Sequence, residues 1–81
     1  MIEADIYARL TKVFQDVFAD DDLEIHAKMT AGDVPEWDSM SHVRLMLTVE
    51  RAFNAKFAAA EIAGLQNVGD LVSIIKRHCA A

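Results

Sequence analysis

Apolar residues recur at helical spacing over four stretches of this chain, and polar residues mark where each stretch stops. In the first, Ile2, Ile6, Leu10, Val13, Phe14 and Val17 fall three or four apart, while Glu3, Asp5, Arg9, Lys12 and Asp16 occupy the other face. That spacing predicts an amphipathic helix of about four to five turns, ending near Ala19. Residues 20–35 then form a stretch too long and irregular for a turn. Within it Leu23, Ile25, Met29 and Val34 are spaced to pin it onto a core, the mark of a long loop packed by its own side chains. The run Asp20-Asp21-Asp22 lacks the alternating acids, central Gly and closing Glu of a calcium-binding loop. It reads as solvated acidic surface.

The second helix is predicted from about Asp38 to Phe53, with Asp38 as its N-cap. It carries two apolar stripes. His42, Leu45, Met46, Val49 and Phe53 make one; Met40, Val43 and Leu47 make the other, with Arg44, Glu50 and Arg51 beside it. One stripe must face the core. The second either widens the core-facing arc or forms an exposed contact surface. A short Ala-rich third helix is expected from Phe57 to Gly64, with Ile62 inward and Gly64 as its stop. Asn67 caps a fourth helix, supported by Asp70. Val68, Leu71, Val72, Ile74 and Ile75 supply its buried face, and Lys76 and Arg77 complement the dipole in its last turn. The predicted fold is all-α: a small four-helix bundle of three longer helices and one short third helix, with a long first loop.

Composition narrows the picture. Eighty-one residues, 53% of them apolar, with three Gly and one Pro, suit a single packed domain spanning residues 1–81. The net charge of −5 argues against a nucleic-acid partner and for basic patches on other proteins. Cys79 is the lone cysteine, so no internal disulfide forms. With three scattered histidines, no metal site is expected, and Cys79 reads as a passive thiol near the chain end. No apolar run is long enough to span a membrane. The acids Glu3 and Asp5 stand where a signal peptide would be basic, so a cytoplasmic monomer is the expectation.

The candidate chemistry concentrates at Ser39, in Glu36-Trp37-Asp38-Ser39-Met40, where the loop meets the second helix. A hydroxyl there is exposed and close to N–H groups that no carbonyl satisfies, a setting that favours a phosphate. Trp37 is expected to pack the long loop onto the bundle, with an exposed contact residue as the alternative. Two other readings of Ser39 compete. It is a plain helix-cap serine, or it joins His42 and Asp38 in a hydrolase triad. Ser39 and His42 are three apart and within reach on a helix, but Asp38 is poorly placed to orient the imidazole from its far side, and so small a domain has little room for a substrate pocket. No catalytic residue is assigned.

Asp38-Ser39-Met40 at a helix start, then Val43 to Leu47 and Val49 to Phe53, resembles the acyl carrier protein family, with its Asp-Ser-Leu motif and Glu-rich stretch ending in Phe. Residues 61–65 and 68–72 resemble the family's third helix and the opening of its fourth, and the resemblance extends from about Ile2 to Arg77. It implies that Ser39 bears 4′-phosphopantetheine, delivered from coenzyme A by a phosphopantetheinyl transferase. It implies that the arm's thiol holds acyl groups as thioesters for acyl-loading, condensing and acyl-transfer enzymes of fatty-acid, polyketide or related biosynthesis. Asp38 belongs to the motif as a cap. Met40, Val43, Arg44, Leu47, Glu50 and Arg51 are the expected partner-facing residues. Leu45, Met46, Val49, Phe53, Ile62 and Val68 are the expected lining of an acyl pocket. Met40 stands where the family has Leu, a change of similar volume. Residues 38–53 hold two acids, Asp38 and Glu50, and two arginines, Arg44 and Arg51. Housekeeping fatty-acid carriers are strongly acidic there, so a specialised carrier with its own matched partners is expected. An aminoacyl or peptidyl carrier, and a helical interaction module without a prosthetic group, are the alternatives.

Overall fold

The computed structural model describes residues 2–79. In chain order it has α1 (Glu3–Phe18), one turn of 3₁₀ helix (Ala31–Asp33), α2 (Ser39–Phe53), α3 (Ala59–Ala63) and α4 (Val68–Cys79), with no strand among the described residues. Helix α1 is the spine, and α2 and α4 both pack against it.

The α1 stripe buries Ile6, Leu10, Val13, Phe14 and Phe18. Two positions differ from the spacing argument. Ile2 is 66% exposed; it is the extended N-cap, and its carbonyl accepts from the Asp5 and Ile6 N–H groups. A residue outside the helical dihedrals does not follow the helical period. Val17 is only half-buried, and Phe18 points inward at that end. The helix stops at Ala19, which adopts a left-handed conformation (φ 50°). Asp20 then closes the following turn, its Oδ1 accepting from the Asp22 N–H.

Met29 and Val34 are buried and Leu23 and Ile25 half-buried, so the long loop is fastened along its length. Its backbone also caps α4. The Met29 carbonyl accepts from the Val68 N–H and the Ala27 carbonyl from the Gly69 N–H, both at 2.8 Å. Asn67 Oδ1 accepts from the Asp70 N–H at 2.8 Å, as the sequence predicts. Three of the first-turn donors of α4 are thereby satisfied. The approach is close at Gly69, where a Cβ would stand 3.0 Å from the Ala27 carbonyl oxygen.

The third helix is shorter than expected. It spans five residues, Ala59–Ala63, rather than Phe57 to Gly64. Phe57 instead lies in the connection, where its N–H donates to Glu50 Oε2 at 2.7 Å. Ala58 has no side-chain acceptor, so Glu61 reaches back to the Ala58 N–H at 2.9 Å. Leu45, Val49, Val68 and Ile75 are fully buried alongside Ile6, Leu10 and Phe14, and form the centre of the core. Cys79 is half-buried at the end of α4, its Sγ 3.8 Å from the Phe53 carbonyl.

Candidate functional site

Asp38 is the N-cap of α2 and Ser39 its first helical residue. The Asp38 carboxylate accepts from the Ser41 N–H at 2.9 Å, and Ser41 Oγ accepts in return from the Asp38 N–H at 3.2 Å. The single Ser41 hydroxyl proton is shared between the Asp38 carboxylate, at 2.7 Å, and the Glu36 carbonyl. Ser41 thus completes a reciprocal cap that sequence reasoning passed over. The signal was its place three residues after an acidic cap, a position more often filled by Glu or Gln. The Ser41 amide, then its hydroxyl, hold the Asp38 carboxyl below the usual aspartate range, and the Met40 amide adds to them. The helix-start donors expected to favour a phosphate are therefore largely turned toward Asp38.

Ser39 is exposed, and its hydroxyl makes no hydrogen bond among the described residues. It stands at the rim of a cleft of about 500 Å³. Trp37, Asp38 and His42 line it from the start of α2, Leu65, Gln66, Asn67 and Leu71 from the α3–α4 connection and α4, and Ala31 from the long loop. Trp37 packs inward as expected. Its ring meets Phe14 edge-on at 5.4 Å and lies 6.1 Å from Phe18, both on α1. Its Nε1–H donates to His42 Nδ1 at 3.1 Å, with the two rings 16° from parallel. The triad of Ser39, His42 and Asp38 is not assembled: His42 Nδ1 is engaged by Trp37, and Asp38 by Ser41.

The residues expected to line an acyl pocket lie in the packed interior. Leu45, Met46, Val49, Phe53 and Val68 are buried in the core, and Ile62 is half-buried. None of these six borders the cleft beside Ser39. Leu65, Gln66 and Leu71 do, and sequence spacing had no means of selecting them, because the α3–α4 connection reaches Ser39 only through the fold.

Of the two α2 stripes, one is buried and the other is not. Met40, Val43 and Leu47 are 81%, 58% and 54% exposed, with Arg44 and Arg51 exposed beside them. Glu50 is half-buried, its carboxylate accepting from the Phe57 N–H, and it borders the same groove as Leu47 and Arg51. Leu47 and Arg51 continue into a shallow groove of about 350 Å³ that also takes in Lys56, a cation the sequence reading had not placed here.

No family model matches the chain, and no curated protein does. Among solved structures, the solution NMR structure of a holo acyl carrier protein from Geobacter metallireducens is similar. The two share 36% sequence identity over 91% of this chain and 85% of that one, with a TM-score of 0.86. Likeness in sequence and in fold, over nearly the full length of both, places the chain in the acyl carrier protein family.

Proposed function

We propose that Ser39 is the attachment point of a covalent 4′-phosphopantetheine and that the protein carries acyl groups for a dedicated biosynthetic pathway. Acyl carrier proteins are carriers rather than enzymes, and this chain's functional residues present a cargo instead of transforming it. The observation that carries the reading is the exposed, unengaged Ser39 hydroxyl on the first turn of α2, open to a transferase and bordering a cleft. When bound, the group supplies a thiol on a flexible arm, which holds an acyl chain as a thioester. The residues present fit it. The hydroxyl is free to form the phosphodiester, Asp38 and Ser41 cap the helix start, and the apolar lining of Trp37, Leu65 and Leu71 offers cover for a chain folded back from Ser39.

The partner-facing side is the Met40, Val43 and Leu47 stripe with Arg44 and Arg51. An apolar stripe rimmed by cations fits enzymes whose docking patch is apolar with an acidic rim. That suits a specialised pathway better than housekeeping fatty-acid synthesis, and polyketide-type or modified fatty acyl groups are the cargo class it favours. The test is intact mass after incubation with coenzyme A and a promiscuous phosphopantetheinyl transferase. Wild type gains one phosphopantetheine and Ser39→Ala gains none. An unmodified wild type overturns the reading in favour of a helical interaction module.

A further inference from the structure

A phosphodiester on Ser39 places a second anion beside the Asp38 carboxylate, which already takes the Ser41 amide. No Lys or Arg lies between Met29 and Val43. No Lys or Arg lines the cleft either; of the lining side chains with a donor free to face it, His42, Gln66 and Asn67, His42 is the one on the same helix as Ser39. An indole N–H can only donate. At 3.1 Å from His42 Nδ1 it makes that nitrogen the acceptor, which leaves the proton of the neutral ring on Nε2. Trp37 is itself held in place by Phe14 and Phe18, so the imidazole is oriented from the core outward. Side chains three apart on a helix are neighbours and lean toward its N-terminus, which sets His42 on the Ser39 side of α2. Both residues border the same cleft. His42 Nε2 has no hydrogen-bond partner among the described residues.

We propose that His42 is the positioning residue for the prosthetic arm: its Nε2–H, fixed in that tautomer by Trp37, donates to an anionic phosphodiester oxygen on Ser39. This bond keeps the root of the arm against the cleft instead of leaving it to swing freely from an exposed serine. The inference rests on the proposal that Ser39 carries phosphopantetheine, and the two fail separately. If the mass gain is absent, the carrier reading fails. If the protein loads normally and the phosphorus signal ignores His42, only the present inference fails.

The experiment uses ³¹P NMR and ring ¹⁵N NMR on protein shown by mass to be loaded. In wild type, the His42 ring carries its proton on Nε2, and the phosphodiester resonance is displaced from that of His42→Leu by more than its line width. His42→Gln, which retains an amide donor, restores part of the displacement. Trp37→Phe keeps an aromatic ring but loses the indole donor. It should give mixed His42 tautomers and a phosphorus resonance shifted toward that of His42→Leu. A merely structural histidine would alter melting without moving the phosphorus signal. Coincident ³¹P resonances in wild type and His42→Leu, or a wild-type ring protonated on Nδ1, overturn the proposal. Should His42→Leu not fold, His42→Gln and Trp37→Phe support the same comparison.

Discussion

Glu61 on α3 lies 3.0 Å from His78 Nε2 on α4, and Arg77 Nη1 approaches the same carboxylate at 3.8 Å. Together with the bond from the Ala58 N–H to Glu61, this makes one side chain both the cap of α3 and its tie to α4. Phe57 packs beneath the clasp, its ring centroid 5.2 Å from that of His78. A five-residue helix cannot hold itself together in water, so Glu61 is what defines α3.

The Ala58 amide, followed by the bond to His78 and the neighbouring positive charge, holds the Glu61 carboxyl below the ordinary glutamate value of 4.5. A carboxyl with a depressed folded pKa contributes stability that is complete above its unfolded pKa and is lost as pH falls through the folded one. The Glu61 contribution from the Ala58 amide and Arg77 is therefore present at neutral pH and fades below 4.5. Asp38, held low by Ser41, follows the same sign below 3.8. Thermal melts across that range should show Glu61→Gln less stable than wild type at neutral pH, with the two curves converging in acid. Parallel curves would mean that the clasp adds no charge-dependent stability.

Gly69→Ala sets helix propensity against space. Alanine is the better helix former by about 1 kcal/mol in a helix interior, which alone would stabilise α4. The new Cβ would meet the Ala27 carbonyl oxygen at 3.0 Å and the Ala27 Cβ at 3.3 Å, and that carbonyl is bonded to the Gly69 N–H. The contact wins, and a net loss of about 1 kcal/mol is expected, a fall in Tm of roughly 4–8 °C for a domain of this size. An unchanged or raised Tm would show that the loop yields.

Acyl chains of increasing length on the arm should raise Tm until the cleft beside Ser39 is filled, at up to about 0.8 kcal/mol per buried methylene. Trp37 is the sole tryptophan and borders that cleft, so its emission should shift with chain length in step with Tm. Leu45→Ala should cost about 2–5 kcal/mol with or without cargo in this cleft, because Leu45 is fully buried in the core and does not border it. Flat Tm and emission across the acyl series would reject sheltering in this cleft.

Arg44→Glu reverses a charge on the exposed α2 face without touching the core. Its own stability should stay within about 0.5 kcal/mol of wild type. Affinity for the cognate partner should fall about tenfold, equal to 1.4 kcal/mol, and more at low salt than at high salt. Titration calorimetry at two ionic strengths measures both effects, and equal affinity for the two forms would remove Arg44 from the interface.

The chain's own pattern determined the helices and their buried faces. An apolar stripe at 3.6-residue spacing has one economical way to leave water, so Leu10, Leu45, Leu71 and Ile75 are inside. The caps at Asp38 and Asn67 are local chemistry over three residues and were equally legible. Only the tertiary structure decided between the two stripes of α2, because either could face a core until α1 and α4 were in place. It also decided where the cleft lies. That space is lined by the α3–α4 connection and by Trp37, which is held against Phe14 and Phe18 of a different helix. The tautomer of His42 follows from the same packing. The two residues are five apart in the chain, yet what aims the indole at the imidazole is the aromatic surface of α1, and a one-dimensional pattern does not record which surface a loop side chain will meet.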